Sequence, residues 1–160
     1  MTRAGLGLVA LLALASASPL AAQDGHIEAF DAGLLEACAD EAGDADALSA
    51  CVGVAADACQ EAPGGATTMG IAACLMAESA VWDDRLNTAY GALRDGLADA
   101  PADSLRDAQR AWIAFRDADC AFQYALWGEG TMRQIAGASC VLDHTARRAI
   151  ALEVERDHGN

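Results

Sequence analysis

Few residues in this chain could do chemistry, and cysteine leads them. The six cysteines fall into three consecutive pairs, Cys38/Cys51, Cys59/Cys74 and Cys120/Cys140. The first pair centres on Gly43-Asp44-Ala45-Asp46, the second just beyond Pro63-Gly64-Gly65, and the third on Gly128-Glu129-Gly130. In an antiparallel hairpin, residues equidistant from the turn face each other. The spacing therefore favours three hairpins, each closed by its own disulfide. Composition alone leaves fifteen connectivities open, and symmetry about the turns favours the sequential one. The competing reading is that apolar helices simply collect buried thiols. Paired oxidation requires an oxidising compartment.

The remaining candidates for chemistry form no constellation. His26 and His158 lie near the ends, and only His144 sits inside a helical segment. Neither His-x-x-x-His nor Cys-x-x-Cys occurs, so no zinc ligand set is expected. No glycine-rich loop follows a strand, so there is no phosphate cradle and no cofactor is expected. Ser139 and His144, five apart on a helix, face different directions, which is poor triad geometry. Asp83-Asp84 and Asp117/Asp119 read as solvated helix faces in so acidic a chain. The expectation is a protein that is not an enzyme.

Charge and the N-terminus bound the partners. The sequence has ten Lys+Arg, all of them arginine, against 24 Asp+Glu, a net charge of −14. Residues 1–22 read as a secretory signal peptide: Arg3, an apolar run from Ala4 to Ala15, then small residues ending at Ala22. The run is shorter than the roughly 20 residues that span a bilayer. Cleavage after Ala22 leaves nine arginines against 24 acids, or −15. Such a product is expected to be periplasmic or secreted, without membrane insertion. Its acidity argues against nucleic acid and anionic membranes and favours a basic protein partner.

The elements that must position these residues read as all-α. Long Ala-, Leu- and Arg-rich stretches with few β-branched residues predict five helices, over about 25–41, 45–61, 68–98, 101–127 and 132–156. Asp44 and Thr67 or Thr68 are candidate N-caps. Pro101 opens the fourth helix, and Thr131-x-x-Gln134 fits a capping box. Apolar stripes at three–four spacing run through Leu75, Trp82, Leu86, Ala89 and Leu93; through Leu105, Ala108, Trp112, Phe115, Phe122 and Leu126; and through Ile135, Ala138, Leu142, Thr145, Ala149 and Leu152. The predicted architecture is an antiparallel three-helix bundle, residues 67–157, preceded by a disulfide-closed helical hairpin, residues 23–66, that leans on it. The main core is expected within the last three helices, and residues 157–160 are expected to fray. Truncating Trp112, on the second stripe, is then expected to cost about 3–5 kcal/mol.

Glu78, Asn87, Gln109, Arg116 and Asp119 lie beside this expected core as structural polar residues. Asp119 falls in the register of the second stripe, where a carboxylate needs a partner. Arg116 or an arginine of a neighbouring helix could supply it.

Those residues also carry a resemblance. Cys74-x-x-x-Glu78-x-x-x-Trp82-Asp83-x-x-Leu86-Asn87-x-x-Tyr90 is followed by Leu105-Arg106-x-Ala108-Gln109-Arg110-x-Trp112-x-x-Phe115-Arg116-Asp117-x-x-Cys120, and then by Gly128-x-Gly130, Cys140, Thr145 and Arg148. Over about 59–152 this resembles the LprI-like lysozyme-inhibitor N-terminal domain family. It departs from that family at Gly128-Glu129-Gly130, where a Gly-Gly pair is common. The resemblance implies an all-helical, disulfide-bonded exported domain that inhibits lysozyme or a related wall-cleaving enzyme. The alternative is a periplasmic structural or envelope-stress protein with another protein partner. Partner contact is expected from a connection between helices, since loops can project into a cleft. Trp127 and Glu129, in the loop tied down by Cys120 and Cys140, are the candidates preferred over the acidic 95–101 connection.

Overall fold

A computed structural model describes residues 29–158. The expected signal peptide and His26 lie outside the described residues, as do 159–160. Six α-helices and no strand are present among the described residues: α1 (Ala32–Glu41), α2 (Ala45–Ser49), α3 (Val54–Gln60), α4 (Thr68–Gly96), α5 (Asp99–Leu126) and α6 (Met132–His158).

Side chains that satisfy the first free N–H groups set three of the helix starts. Asp31 accepts from Gly33 N at 2.9 Å, Asp44 from Ala47 N at 2.8 Å, and the Thr67 hydroxyl from Gly70 N at 3.0 Å. Pro101 lies in the first turn of α5, where its missing N–H is not needed.

The expected 45–61 helix is in fact two. The chain turns over 50–53, and Gly53 takes φ +99°, a left-handed conformation that other residues adopt only with strain. The break turns the N-terminus of α3 toward α4. At the other end, α6 stays helical through His158 where fraying was expected. Near its start the Gln134 amide donates to the Tyr124 hydroxyl at 3.3 Å, linking α6 to α5.

All three disulfides join consecutive cysteines. Cys38–Cys51 ties α1 to the turn after α2, Cys59–Cys74 ties α3 to α4, and Cys120–Cys140 ties α5 to α6.

Two of the three expected stripes, those of α4 and α6, lie in the core, and that of α5 does not. One apolar cluster joins Leu35 of α1, Leu48 of α2, Cys51 and Ala55 to Trp82, Leu86 and Ala89 of α4 and to Leu142, Ala146, Ala149, Ile150 and Leu152 of α6. The disulfide-closed N-terminal helices that precede the bundle bury Leu35 and Leu48 in this core. Helices α4 and α6 form its main pair and run parallel. Met76 and Ala138 flank one groove near their N-terminal ends, and Arg85 meets Glu153 at 2.9 Å further along.

Helix α5 runs antiparallel along α6 and scarcely touches α4. Only Gln109 and Cys120 of α5 are buried, with Leu105 and Trp112 reaching the core in part. The expected stripe is thus mostly outside: Phe115 is 59% exposed, Phe122 55% and Leu126 61%, and Ala108 is also exposed. The face turned to α6 instead holds Gln109, Trp112, Arg116, Asp119 and Cys120. The Cys120–Cys140 bond fixes the rotation of the helix, and periodicity alone cannot choose between two faces of comparable spacing.

Candidate functional site

Two polar arrangements organise the molecule, and only one reaches solvent at a connection. The first is structural. Glu78 of α4 is fully buried, yet its carboxylate accepts from Gly53 N at 2.6 Å, from Ala56 N at 2.7 Å and from Trp82 Nε1 at 3.1 Å. Gly53 has no side chain with which to cap α3. Glu78 supplies that cap from another helix, and the positive end of the α3 dipole stabilises its charge. Glu78 thus fixes α3 against α4 and is closed to any ligand.

The second runs along the α5–α6 seam. Buried Gln109 accepts from Arg148 Nε at 2.9 Å. Asp119 Oδ2 lies 2.8 Å from His144 Nε2, and the His144 ring meets Phe115 edge-on at 5.4 Å. The expected arginine partner of Asp119 is therefore replaced by His144. Arg116 turns to Asp117 at 2.8 Å and stacks over Trp112 at 5.1 Å. Asn87 does not belong to this network: it is exposed on α4 and donates to Asp83 at 2.9 Å.

The seam ends in the 127–130 connection. Trp127 caps α5 and is 50% exposed. Gly128 takes φ +53°, and Gly130 N returns to the Trp127 carbonyl at 3.0 Å. The Glu129 side chain is 98% exposed. Arg133 braces the loop: it donates to the Gly128 carbonyl at 3.1 Å, pairs with Glu129 at 3.4 Å and stacks over the Tyr124 ring at 5.2 Å. Sequence reasoning missed Arg133, although an acid and an arginine four apart are a visible helix-pair signal. It also missed His144 as the partner of Asp119. Once Cys120 opposes Cys140, the residue one helical turn beyond Cys140 is a natural partner for Asp119.

The other connection, between α4 and α5, is more acidic and less braced. Asp95 pairs with neighbouring Arg94 at 3.0 Å, and this hydrogen bond is the largest cause holding the Arg94 pKa above its ordinary value.

None of this is a catalytic constellation. His144 is committed to Asp119, and Ser139 shares with it only a shallow hollow of about 340 Å³. Ligand atoms of Cys120, Cys140 and His144 lie within 4.8 Å of one another, but the two sulfurs are joined in a disulfide and offer no thiolate. Among the described residues, no helix is long and apolar enough to cross a membrane.

The fold and these sites define a disulfide-braced helical domain whose solvent-facing features suit binding. The family of the lysozyme inhibitor LprI matches residues 59–152, more than half of the chain, and this protein belongs to that family. Its members are inhibitors rather than enzymes. No curated protein and no solved structure gives a significant match. Three disulfides together with this family point to a compartment outside the cytoplasm. The matched span takes in α4, α5 and most of α6 with two of the disulfides, and leaves out α1, α2 and most of α3.

Proposed function

We propose that this protein is exported through its 1–22 segment and inhibits a lysozyme or a related cell-wall-cleaving enzyme by binding it. Membership of the LprI family carries this reading. The net charge supports it, because a protein at −15 after cleavage attracts a basic enzyme over a distance of about a Debye length, ~10 Å at moderate salt.

Contact comes from the 127–130 loop. Trp127 offers an exposed aromatic anchor of the kind that dominates interface energetics. The disulfide and Arg133 hold the loop in place, so little conformational entropy is lost on binding. The long-range attraction arises from the acids of the whole body, since Glu129 itself is paired with Arg133.

A lysis assay with purified, oxidised mature protein tests the reading. Inhibition that weakens as salt is raised is expected. Replacing Trp127 and Glu129 together by alanine is expected to weaken inhibition about tenfold, roughly 1.4 kcal/mol, with helicity intact. If the wild-type protein neither binds nor inhibits lysozyme, the reading fails. If only the double variant is unchanged, contact moves to the 95–101 connection or the N-terminal hairpin.

A further inference from the structure

Helix α5 carries an apolar stripe that the fold leaves largely outside the core, with Phe115 touching the His144 ring edge-on at 5.4 Å. Ala108, Ala111, Phe115, Ala118, Phe122 and Leu126 follow one another at three–four spacing, and all six are exposed. At 1.5 Å per residue the stripe is roughly 27 Å long. Its inner neighbours on the same helix include the polar Gln109, Arg116 and Asp119, and much of the apolar side of α5 is turned outward. An apolar face of this extent marks an interaction surface.

Two observations favour a second copy of this chain as the occupant. The first is the order of large and small residues. Laid antiparallel on itself about an axis between 118 and 119, the stripe places Phe115 against Phe122, and Ala111 against Leu126. The aromatics meet each other, a small residue receives a large one, and Ala118 at the axis allows close approach. This self-complementarity is what a two-fold interface requires, because the same patch must serve both partners.

The second is charge. Two copies of a chain at −14 repel each other across most faces. Two acids bordering this stripe are paired with arginines: Asp117 with Arg116 at 2.8 Å, and Asp143 with Arg147 at 2.9 Å. A basic enzyme gains least on such a face, whereas a second acidic copy is least opposed there.

We propose that two copies of this protein pair through the outer face of α5, antiparallel and two-fold symmetric about residues 118–119. This is independent of the lysozyme reading. Sedimentation equilibrium of the oxidised full chain, from low micromolar to submillimolar concentration, tests it. Dimerisation is expected in the wild type. Ala118→Glu, which brings two carboxylates together at the axis on a helix-compatible residue, is expected to weaken it at least about tenfold. Ala80→Glu, adding the same charge at an exposed position of α4, is expected to leave the dimer unchanged. If Ala118→Glu loses helicity, Phe122→Gln takes its place. A wild type that stays monomeric throughout overturns the proposal, as does a dimer that persists in both stripe variants. Loss of lysozyme inhibition in a stripe variant of a monomeric wild type would assign the face to the enzyme instead.

Discussion

Helices α4 and α5 are nearly equal in length, 29 and 28 residues, and both are amphipathic in sequence, yet α4 buries eight residues and α5 only two. Helix α4 packs along α6 and against α3, shares its core with Leu35 and Leu48 of α1 and α2, and carries both Trp82 and the buried Glu78 cap. Helix α5 is held along one side by a disulfide, a Gln–Arg bond and an Asp–His pair. Length and periodicity make a helix, but partners on several sides make a core. A helix attached along a single polar seam is free to use its other faces for recognition.

Breaking α4 should have the largest consequences. Trp82→Ala removes a fully buried aromatic and one donor to Glu78, and should cost about 4–5 kcal/mol in urea unfolding. Glu78→Ala leaves Gly53 N, Ala56 N and Trp82 Nε1 without their acceptor and, at about 1–3 kcal/mol per unsatisfied buried donor, should cost about 3–5 kcal/mol. A loss below about 1 kcal/mol in either would mean that the core is not centred on α4. Removing the α5 tether comes next. Replacing Cys120 and Cys140 together by alanine opens a cross-link of sequence separation 20, and should cost about 3 kcal/mol in the chain-entropy account, with α5 loosening first. The smallest effects should lie on α5 side chains. Trp112→Ala should cost about 1–2 kcal/mol, less than its place on an apolar stripe suggests, because Trp112 is only partly buried. Phe122→Ser should change stability by no more than about 0.5 kcal/mol. A Trp112 variant as damaged as Trp82→Ala would erase the contrast between the two helices.

Much of this was legible from the residues. Helical composition and turn-centred cysteines gave the all-α class. Asp44 and Thr67 were readable as caps because Asp and Thr side chains reach the free N–H groups of a first turn. The rotation of α5 was not readable. Leu105 and Trp112 belong equally to the buried and the exposed arrangement, and the choice between Phe115 and Arg116 facing inward depends on the long-range bonds of Cys120, Gln109 and Asp119. The break at Gly53 was missed because a lone glycine in a helical stretch is often tolerated. Its reason lies 25 residues away, in the Glu78 carboxylate that accepts from its N–H. At the candidate site, Trp127 and Glu129 were visible as an aromatic and an acid between glycines. The bracing by Arg133 became clear only when the loop and the first turn of α6 were seen together.

Native-state hydrogen exchange, read residue by residue on the oxidised protein, tests the contrast between these helices most directly. Amides of Trp82 and Leu86 in α4 and of Ala146 and Ala149 in α6 should exchange only through global unfolding, whereas those of α5 between Ala108 and Phe115 should exchange through a smaller opening, lower by about 1–3 kcal/mol. Equal protection of α5 and α4 in the monomeric protein would contradict the account.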